Sequence, residues 1–210
     1  MAVRPKESAG AGSVNTVRTA ATRPVKERLL RVATRLFARH GFESTSVQDI
    51  VDAAGVTKGA MYHYYGSKDD LLYEVYHQLL TVQTTRLNEI VKSEGSAEDR
   101  LRAAALDVVE SSLANLDELI VFFRSLHMLP EDRQTQVRAE RRAYQDQFKA
   151  LVEEGMVAGT FRTEVPADIV VHFFLSTVNQ LGAWYRPDGP LTPTQVGEQY
   201  TELLLGGLRA

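Results

Sequence analysis

Apolar residues recur at helical spacing along almost the whole chain from residue 24 onward. In the first segment Leu29, Val32, Ala33, Leu36 and Phe37 recur at helical spacing, and Gly41 ends the run. This period is typical of an amphipathic helix that buries one face. The same period returns in further segments, at about 47–54, 57–65, 67–82, 97–115, 117–129, 131–158, 166–185 and 193–208. No alternating strand pattern and no internal repeat separates them, so the sequence predicts an all-α fold.

Residues 1–23 lack this period and are rich in Gly, Ala, Ser and Thr. Such a composition is typical of a flexible segment, and we predict an N-terminal arm there. Pro24 fits the first turn of the helix that follows. The chain is therefore divided into an arm at 1–23, a first helical domain at 24–70 and a second helical domain at 71–210.

Composition narrows the class of protein. The 210 residues are 44% apolar and 24% charged, as in ordinary globular proteins. Cysteine is absent, which excludes disulfides, thiolate metal sites and cysteine nucleophiles. No apolar run is long enough to span a membrane, and no apolar segment of a secretory signal follows Met1. We therefore expect a cytoplasmic protein with no membrane partner.

Charge is distributed unevenly, although the formal net charge is only −3. Residues 1–70 hold 11 Lys and Arg against 7 Asp and Glu, whereas residues 71–210 hold 13 against 20. A basic first third on an acidic remainder favours contact of that first third with a polyanion such as DNA. An excess this small can also arise by chance.

The stretch 45–68 is the most informative part of the sequence, because two short apolar segments flank a glycine turn at Gly55. These are the parts of a helix-turn-helix, whose second helix enters the major groove of DNA. In the segment 57–65, Gly59 and Ala60 would allow close approach to base edges, while lysine and tyrosine side chains can reach phosphates. The aromatic run at 62–65 points all round a helix, so these side chains cannot all be core. Packing of this helix on a neighbour is the alternative.

The block from Lys26 to Leu72 resembles the DNA-binding domain of the TetR family of transcriptional regulators. The matching residues are Ala33, Phe37, Gly41, Phe42, Thr45, Val47, Ile50, Ala53, Ala54, Gly55, Val56, Lys58, Gly59, Tyr62, Tyr64, Ser67, Lys68, Leu71 and Leu72. The resemblance implies a homodimeric repressor of about nine helices, with a palindromic operator on double-stranded DNA and a small-molecule pocket in the second domain. It also implies two sets of DNA contacts. The phosphate contacts would be Thr45, Ser46, Thr57, Tyr64 and Lys68, and the groove-facing residues would be Lys58, Gly59, Ala60, Tyr62 and His63.

The last two long segments, 166–185 and 193–208, combine large apolar residues with small ones that permit close helix approach. In the TetR family the last two long helices of each subunit form a four-helix dimer interface. This implies the following interface residues: Phe174, Val178, Leu181, Gly182, Trp184, Tyr200, Leu203 and Leu204. Burial of both helices in the core of one subunit is the alternative.

A ligand pocket in the second domain should be mostly apolar, with a few polar anchors. The candidates lie on the middle helices and on the segment 166–185: Phe123, Arg124, His127, Tyr144, Phe148, His172, Phe173, Ser176 and Asn179. Each of them can also be an ordinary core residue. Arg138, Arg141 and Arg142 are further candidates for contact with an anionic ligand, or for pairing with acids nearby.

The C-terminal sequence has a narrower resemblance. Residues 184–192, 195–200 and 206–207 are similar to the acyl-CoA-sensing repressors of steroid and lipid catabolism in actinobacteria. This implies an acyl-CoA thioester as effector and genes of lipid, steroid or aromatic-acid breakdown as targets. Leu175 and Asn179 stand where the steroid-sensing relatives have Arg and Trp, which predicts a different ligand. Another apolar small molecule, such as a drug or a secondary metabolite, is the alternative effector.

An enzyme is not expected from this sequence. The five histidines lack metal-site spacing, and the chain has neither a nucleophile elbow nor a phosphate-binding glycine loop. We therefore expect no cofactor and no metal. A helical adaptor without a DNA role is the remaining alternative, and it would have to explain the exposed segment 57–65.

Overall fold

A computed structural model describes the backbone of residues 15–209 and the side chains of residues 25–209. Within these residues the all-α prediction is confirmed, with ten helices, one 3-10 turn at Leu126–Met128 and a single isolated bridge between Phe161 and Arg209. The helices are α1 (Asn15–His40), α2 (Val47–Ala54), α3 (Lys58–Tyr64), α4 (Lys68–Val91), α5 (Ala97–Ala114), α6 (Leu116–Arg124), α7 (Glu131–Val157), α8 (Ala167–Asn179), α9 (Leu181–Trp184) and α10 (Pro193–Leu208). None of these helices is long and apolar enough to cross a membrane.

The start of α1 differs from the sequence prediction. The helix begins at Asn15, so residues 15–23 of the predicted arm are helical, and residues 1–14 lie outside the described part of the chain. Alanine has the highest helix propensity, and the pair at 20–21 favours helix despite the backbone hydrogen bond that Pro24 cannot make. Pro24 therefore lies inside α1 and not in its first turn.

Two other predicted helices are interrupted. The segment 117–129 divides into α6 and the 3-10 turn, and the segment 166–185 divides at Gln180 into α8 and the four-residue α9. Gly182 explains the second break in part, because a Cβ at this position would lie 2.9 Å from Cγ1 of Ile120. The break thus allows the backbone of α9 to approach α6 closely.

Two apolar cores meet along α4. The first joins α1, α2, α3 and the first half of α4, and it also takes in Phe122 from α6. The second is built mainly from α5, α7, α8 and α10, with Leu87 of α4 among its members. α4 therefore contributes buried side chains to both cores and connects them.

Candidate DNA-binding surface and effector cavity

Two side-chain caps and one glycine set the geometry of α2 and α3. The Ser46 hydroxyl accepts from the backbone N–H of Asp49 at 3.1 Å, and the Asp49 carboxylate accepts from the backbone N–H of Ser46 at 2.8 Å. Gly55 then ends α2 with a φ of 61°, in the left-handed region that favours glycine. Thr57 caps α3 by accepting from the backbone N–H of Ala60 at 3.1 Å. Local sequence therefore fixes where both helices start and where the first one stops.

Two side chains anchor α3 to the first core. Met61 is fully buried, and Tyr65, directly after the helix, is 4% exposed. The Tyr65 hydroxyl donates to the backbone oxygen of Lys26 in α1 at 3.3 Å. Burial raises the pKa of Tyr65 above its ordinary range, with smaller contributions from nearby carboxylates, so the group stays a neutral donor. α3 is thus held rigidly against α1 by its buried side.

The opposite side of α3 faces outward. Tyr62 is 52% exposed, and a Cβ added to Gly59 would meet only the Thr57 hydroxyl, at 3.8 Å. Of the predicted groove residues, four are exposed and the fifth is half-buried: Lys58, Gly59, Tyr62 and His63, and then Ala60. The rings of His63 and Tyr64 meet edge to face, with centroids 4.9 Å apart. The arrangement offers a cation, aromatic edges and an open backbone on one convex surface.

The predicted phosphate contacts divide into two groups. Ser46 and Thr57 are exposed at helix starts, and Tyr64 is half-buried beside them in sequence. Thr45, by contrast, is 2% exposed, and its hydroxyl donates to the backbone oxygen of Gly41 at 2.8 Å. The structure therefore gives the Thr45 side chain an internal role rather than an exposed position for a phosphate.

Lys68 also has internal partners. Its ammonium group donates to the backbone oxygens of Phe42 at 2.8 Å and Thr45 at 2.9 Å, and it lies 4.2 Å from the centroid of the Phe42 ring. These contacts join the start of α4 to the loop between α1 and α2. Sequence pattern cannot show this, because the carbonyls lie more than twenty positions away from Lys68.

A small cavity opens in the second domain between α4, α5, α6, α7 and α8. Its volume is about 50 Å³. The lining residues are Leu79, Leu80, Gln83, Val108, Ser112, Leu119, Phe122, Phe123, Arg141, Tyr144, Gln145, Leu175, Val178 and Asn179. The lining is mainly apolar with a few polar groups, which is the composition expected of a small-molecule site.

Three of the nine predicted pocket residues line this cavity: Phe123, Tyr144 and Asn179. The others lie elsewhere. Phe148 packs inside the second core, and five side chains are exposed, namely Arg124, His127, His172, Phe173 and Ser176. In α8 each residue is turned by about 100° from the one before. The predicted residues His172, Phe173 and Ser176 are neighbours of inward-facing residues, and they therefore lie on the outward face of the helix.

Several cavity residues were absent from the sequence prediction. Gln83 follows Leu79 and Leu80 on the apolar stripe of α4, and Ser112 follows Val108 on that of α5. Both polar residues are nonetheless buried. A polar residue on an otherwise apolar helical stripe was the signal that could have identified this part of the wall.

α8 and α10 together present an exposed apolar face. Ile169 is 57% exposed, Phe173 71% and Leu203 76%, and a Cβ on Gly206 or Gly207 would meet nothing within 4 Å. Ile169, Phe173, Leu203 and Gly207 line one shallow groove, and a contiguous apolar patch of this kind is typical of an interaction surface. We call this surface, made of Ile169, Phe173, Leu203, Gly206 and Gly207, the α8–α10 face.

The predicted dimer residues are only partly on the α8–α10 face. Leu203 belongs to it, whereas four residues are buried inside the subunit: Phe174, Val178, Leu181 and Leu204. Gly182 contacts Ile120, and the Trp184 ring, 44% exposed, stacks on Tyr200 with centroids 6.5 Å apart. Phe173, predicted for the pocket, is exposed on the α8–α10 face, whereas Phe174, predicted for the interface, is buried in the second core, because adjacent residues on a helix point to different sides.

Within residues 25–209 the side chains form no group of three or more His, Asp and Glu that could hold a metal ion.

Comparison with known proteins agrees with this architecture. The family model described as "Bacterial regulatory proteins, tetR family" matches residues 29–75, and "Tetracyclin repressor-like, C-terminal domain" matches residues 94–208. The HTH-type transcriptional repressor KstR2 of Mycobacterium tuberculosis is 29% identical over 181 residues, covering 86% of this chain and 90% of that protein.

Solved structures give the same result. The ketosteroid transcriptional regulator KstR2 of Mycobacterium tuberculosis superposes with a TM-score of 0.82 and 28% identity, covering 95% of this chain and 98% of that one. AibR, solved in complex with isovaleryl coenzyme A and operator DNA, has a TM-score of 0.78 at 24% identity, covering 86% and 98%, and shares the fold. These relatives are transcriptional regulators rather than enzymes. The chain described here belongs to the TetR family of transcriptional regulators.

Proposed function

We propose that this TetR-type repressor acts as a homodimer on a palindromic operator and is released from it by an acyl-CoA. The observation that carries the proposal is the outward side of α3. It presents Lys58, Tyr62 and His63 around the open backbone of Gly59, while Met61 holds the helix in place. A short helix with this exposure fits the major groove, where side chains reach base edges and phosphates.

The α8–α10 face supports the homodimer. Two copies of an exposed apolar helix pair can bury each other, and the glycines of α10 permit close backbone approach. A two-fold axis through this face would present one α3 from each subunit to the DNA. That symmetry is the reason to expect a palindromic operator.

The effector part of the proposal rests on the cavity and on the relatives. KstR2 is described as a ketosteroid transcriptional regulator, and AibR, which has the same fold, was solved with an acyl-CoA, isovaleryl coenzyme A. By this analogy, the regulated genes are those of lipid, steroid or aromatic-acid breakdown. The mainly apolar lining between α4 and α8 suits an acyl group.

Fluorescence anisotropy on the DNA upstream of the chain's own gene, followed by a wider operator selection, tests this proposal. We expect salt-dependent binding, because phosphate contacts release counterions. The double variant Lys58→Ala with Tyr62→Ala should lose about tenfold or more in operator affinity. Its melting temperature should be unchanged, since Lys58 is exposed and Tyr62 is half in solvent.

The same titration, repeated with a panel of acyl-CoA thioesters, tests release. Release by one thioester supports the whole proposal. Binding that no thioester affects would keep the repressor and replace the acyl-CoA by another apolar effector. Full operator affinity in the double variant would show that α3 is not the reading helix.

A further inference from the structure

The cavity of the second domain contains one formally charged side chain, Arg141 of α7. Among the described residues, no carboxylate forms an ion pair with Arg141, and its side chain is half-buried. Its guanidinium carbon lies 5.2 Å from the ring centroids of both Phe122 and Phe123. Burial lowers the pKa of Arg141, although an arginine remains a cation in proteins.

Other arginines of this chain contrast with Arg141. Arg86 pairs with Asp107 at 3.3 Å, and Arg209 pairs with Glu98 at 2.6 Å. Those arginine side chains are about half exposed to solvent, where an ion-pair partner contributes less to stability. Arg141 is half-buried, and a partly desolvated cation without a counter-ion is less favourable than a paired one, although the rings of Phe122 and Phe123 offset part of that cost. Such a group is typical of a binding site whose anion arrives from outside.

A second polar group in the same cavity lacks a partner. Ser112 of α5 is 1% exposed, and its hydroxyl makes no hydrogen bond with any described residue. Buried hydroxyls are nearly always paired, so this one is unusual. Ser112 and Arg141 lie on two different helices and line one small space. Both groups are therefore available to a ligand that enters this space.

We infer that Arg141, assisted by Ser112, is the internal anchor for an acyl oxygen of the effector. The ligand class is an apolar-bodied carboxylic acid, bound through its carboxylate as the free acid or through its acyl oxygen as a thioester. The inference rests on the proposed function, because it takes the cavity as the effector site. It assigns the polar end of the ligand to the interior, whereas Arg138 and Arg142 are exposed on the outside of α7.

The small volume of the cavity restricts how a ligand can bind in it. About 50 Å³ is far below the roughly 300 Å³ or more that drug-sized ligands occupy. The ligand must therefore displace lining side chains, and the rings under Arg141 are among them. Phe122 also packs on Tyr76, with ring centroids 4.8 Å apart, and Tyr76 belongs to α4. An oxygen that draws Arg141 inward would thus disturb the contact between α6 and α4.

The test uses Arg141→Met, Arg141→Lys and Ser112→Ala in the full chain, with Arg142→Met as the matched exposed arginine. Thermal shift and calorimetry would measure binding of butyrate, octanoate and dodecanoate, the corresponding alcohols and the corresponding CoA thioesters. We expect acids or thioesters to bind the native protein better than the alcohols do. Arg141→Met should weaken that binding by about tenfold or more. Arg141→Lys and Ser112→Ala should weaken it by a smaller factor. Arg142→Met should leave free-acid binding unchanged.

A measurement without ligand separates binding from structure. Since Arg141 is half-buried and has no ion-pair partner among the described residues, Arg141→Met should melt at the same temperature as the native protein or higher. A large drop in melting temperature, with acid binding retained, would make Arg141 a packing residue and overturn the inference. Equal binding of acids and alcohols, no binding of any acid or thioester, or an equal loss in Arg142→Met would also overturn it.

Operator binding, measured on the same samples, distinguishes a failure of the Arg141 inference from a failure of the proposed function. Native operator affinity together with failure of the Arg141 predictions would reject only the anchor. Absence of operator binding by the native chain would reject the proposed function, while acid binding would still decide the role of Arg141.

Discussion

The helix-turn-helix and the proposed effector cavity of this protein are built over very different lengths of chain. The surface of α3 depends on residues 45–65, whose caps and glycine turn are interactions between near neighbours. The cavity takes residues from 79 to 179, on five helices. The first site is therefore specified locally and held by few core contacts, whereas the second exists only when the whole second domain has packed.

α3 and the cavity also differ in the properties that their proposed functions require. A rigid α3 suits recognition, since its geometry should not vary when DNA is bound. A cavity of about 50 Å³ with an unpaired cation suits regulation, since a ligand must change its walls in order to enter. α4 packs in both cores and joins the two behaviours.

Disruption of the α8–α10 face should have the largest effect, because it removes the link between two copies of α3. Phe173→Asp places a charge on a 71% exposed residue, so the subunit should fold normally while burial in a dimer becomes unfavourable. We expect monomers in analytical ultracentrifugation. Operator affinity should fall by about a hundredfold or more, because the two half-sites are no longer bound jointly.

Val82→Asp is the matched control, since Val82 is 48% exposed on α4 and lies outside this face. It should remain dimeric with native affinity. A dimeric Phe173→Asp with native operator affinity would show that the subunits associate through another surface.

Lys68→Met distinguishes a structural lysine from a phosphate contact. Two backbone oxygens accept hydrogen bonds from Lys68, and hydrogen bonds to a charged group contribute about 1.5–3 kcal/mol. We expect the free energy of unfolding to fall by about that amount in urea titrations. The slope of log affinity against log salt should remain native, whereas loss of a phosphate contact would reduce it by about 0.9 per site.

Lys58→Met provides the opposite case in the same titrations. Lys58 is exposed, so its removal should lower the salt slope with no change in stability. A reduced slope in Lys68→Met at unchanged stability would return Lys68 to the phosphate contacts implied by family resemblance.

The sequence was sufficient for the fold class and for the positions of α2 and α3, and insufficient for the start of α1, for the breaks in two later helices and for the cavity. Ser46, Gly55 and Thr57 act on residues within a few positions, so their roles follow from spacing. The inward position of Asn179 and the outward position of Phe173 depend on how α8 is rotated against α7, which no local pattern fixes. Resemblance to a family identified the two helices of the face but could not give the rotation.

The smallest effect that we predict compares one capping motif in both regions. Ser46 caps α2 with Asp49, and Ser96 caps α5 with Asp99, through the same pair of reciprocal bonds. Replacement of either serine by alanine should lower the free energy of unfolding by about 1 kcal/mol at neutral pH. Hydrogen bonds from these serines hold the pKa of Asp49 and of Asp99 below the ordinary 3.8.

Each aspartate therefore contributes stability that is present above the ordinary carboxyl pKa and is lost as the pH falls through the lowered folded value. Both variants should show a weaker acid dependence of unfolding, measured by urea titration from neutral to acid pH. Operator affinity should separate them, because only Ser46 lies at the start of a helix in the DNA-binding region. A few-fold loss is expected for Ser46→Ala and none for Ser96→Ala, so an equal loss in both would mean that operator binding follows global stability instead of the local geometry of α2 and α3.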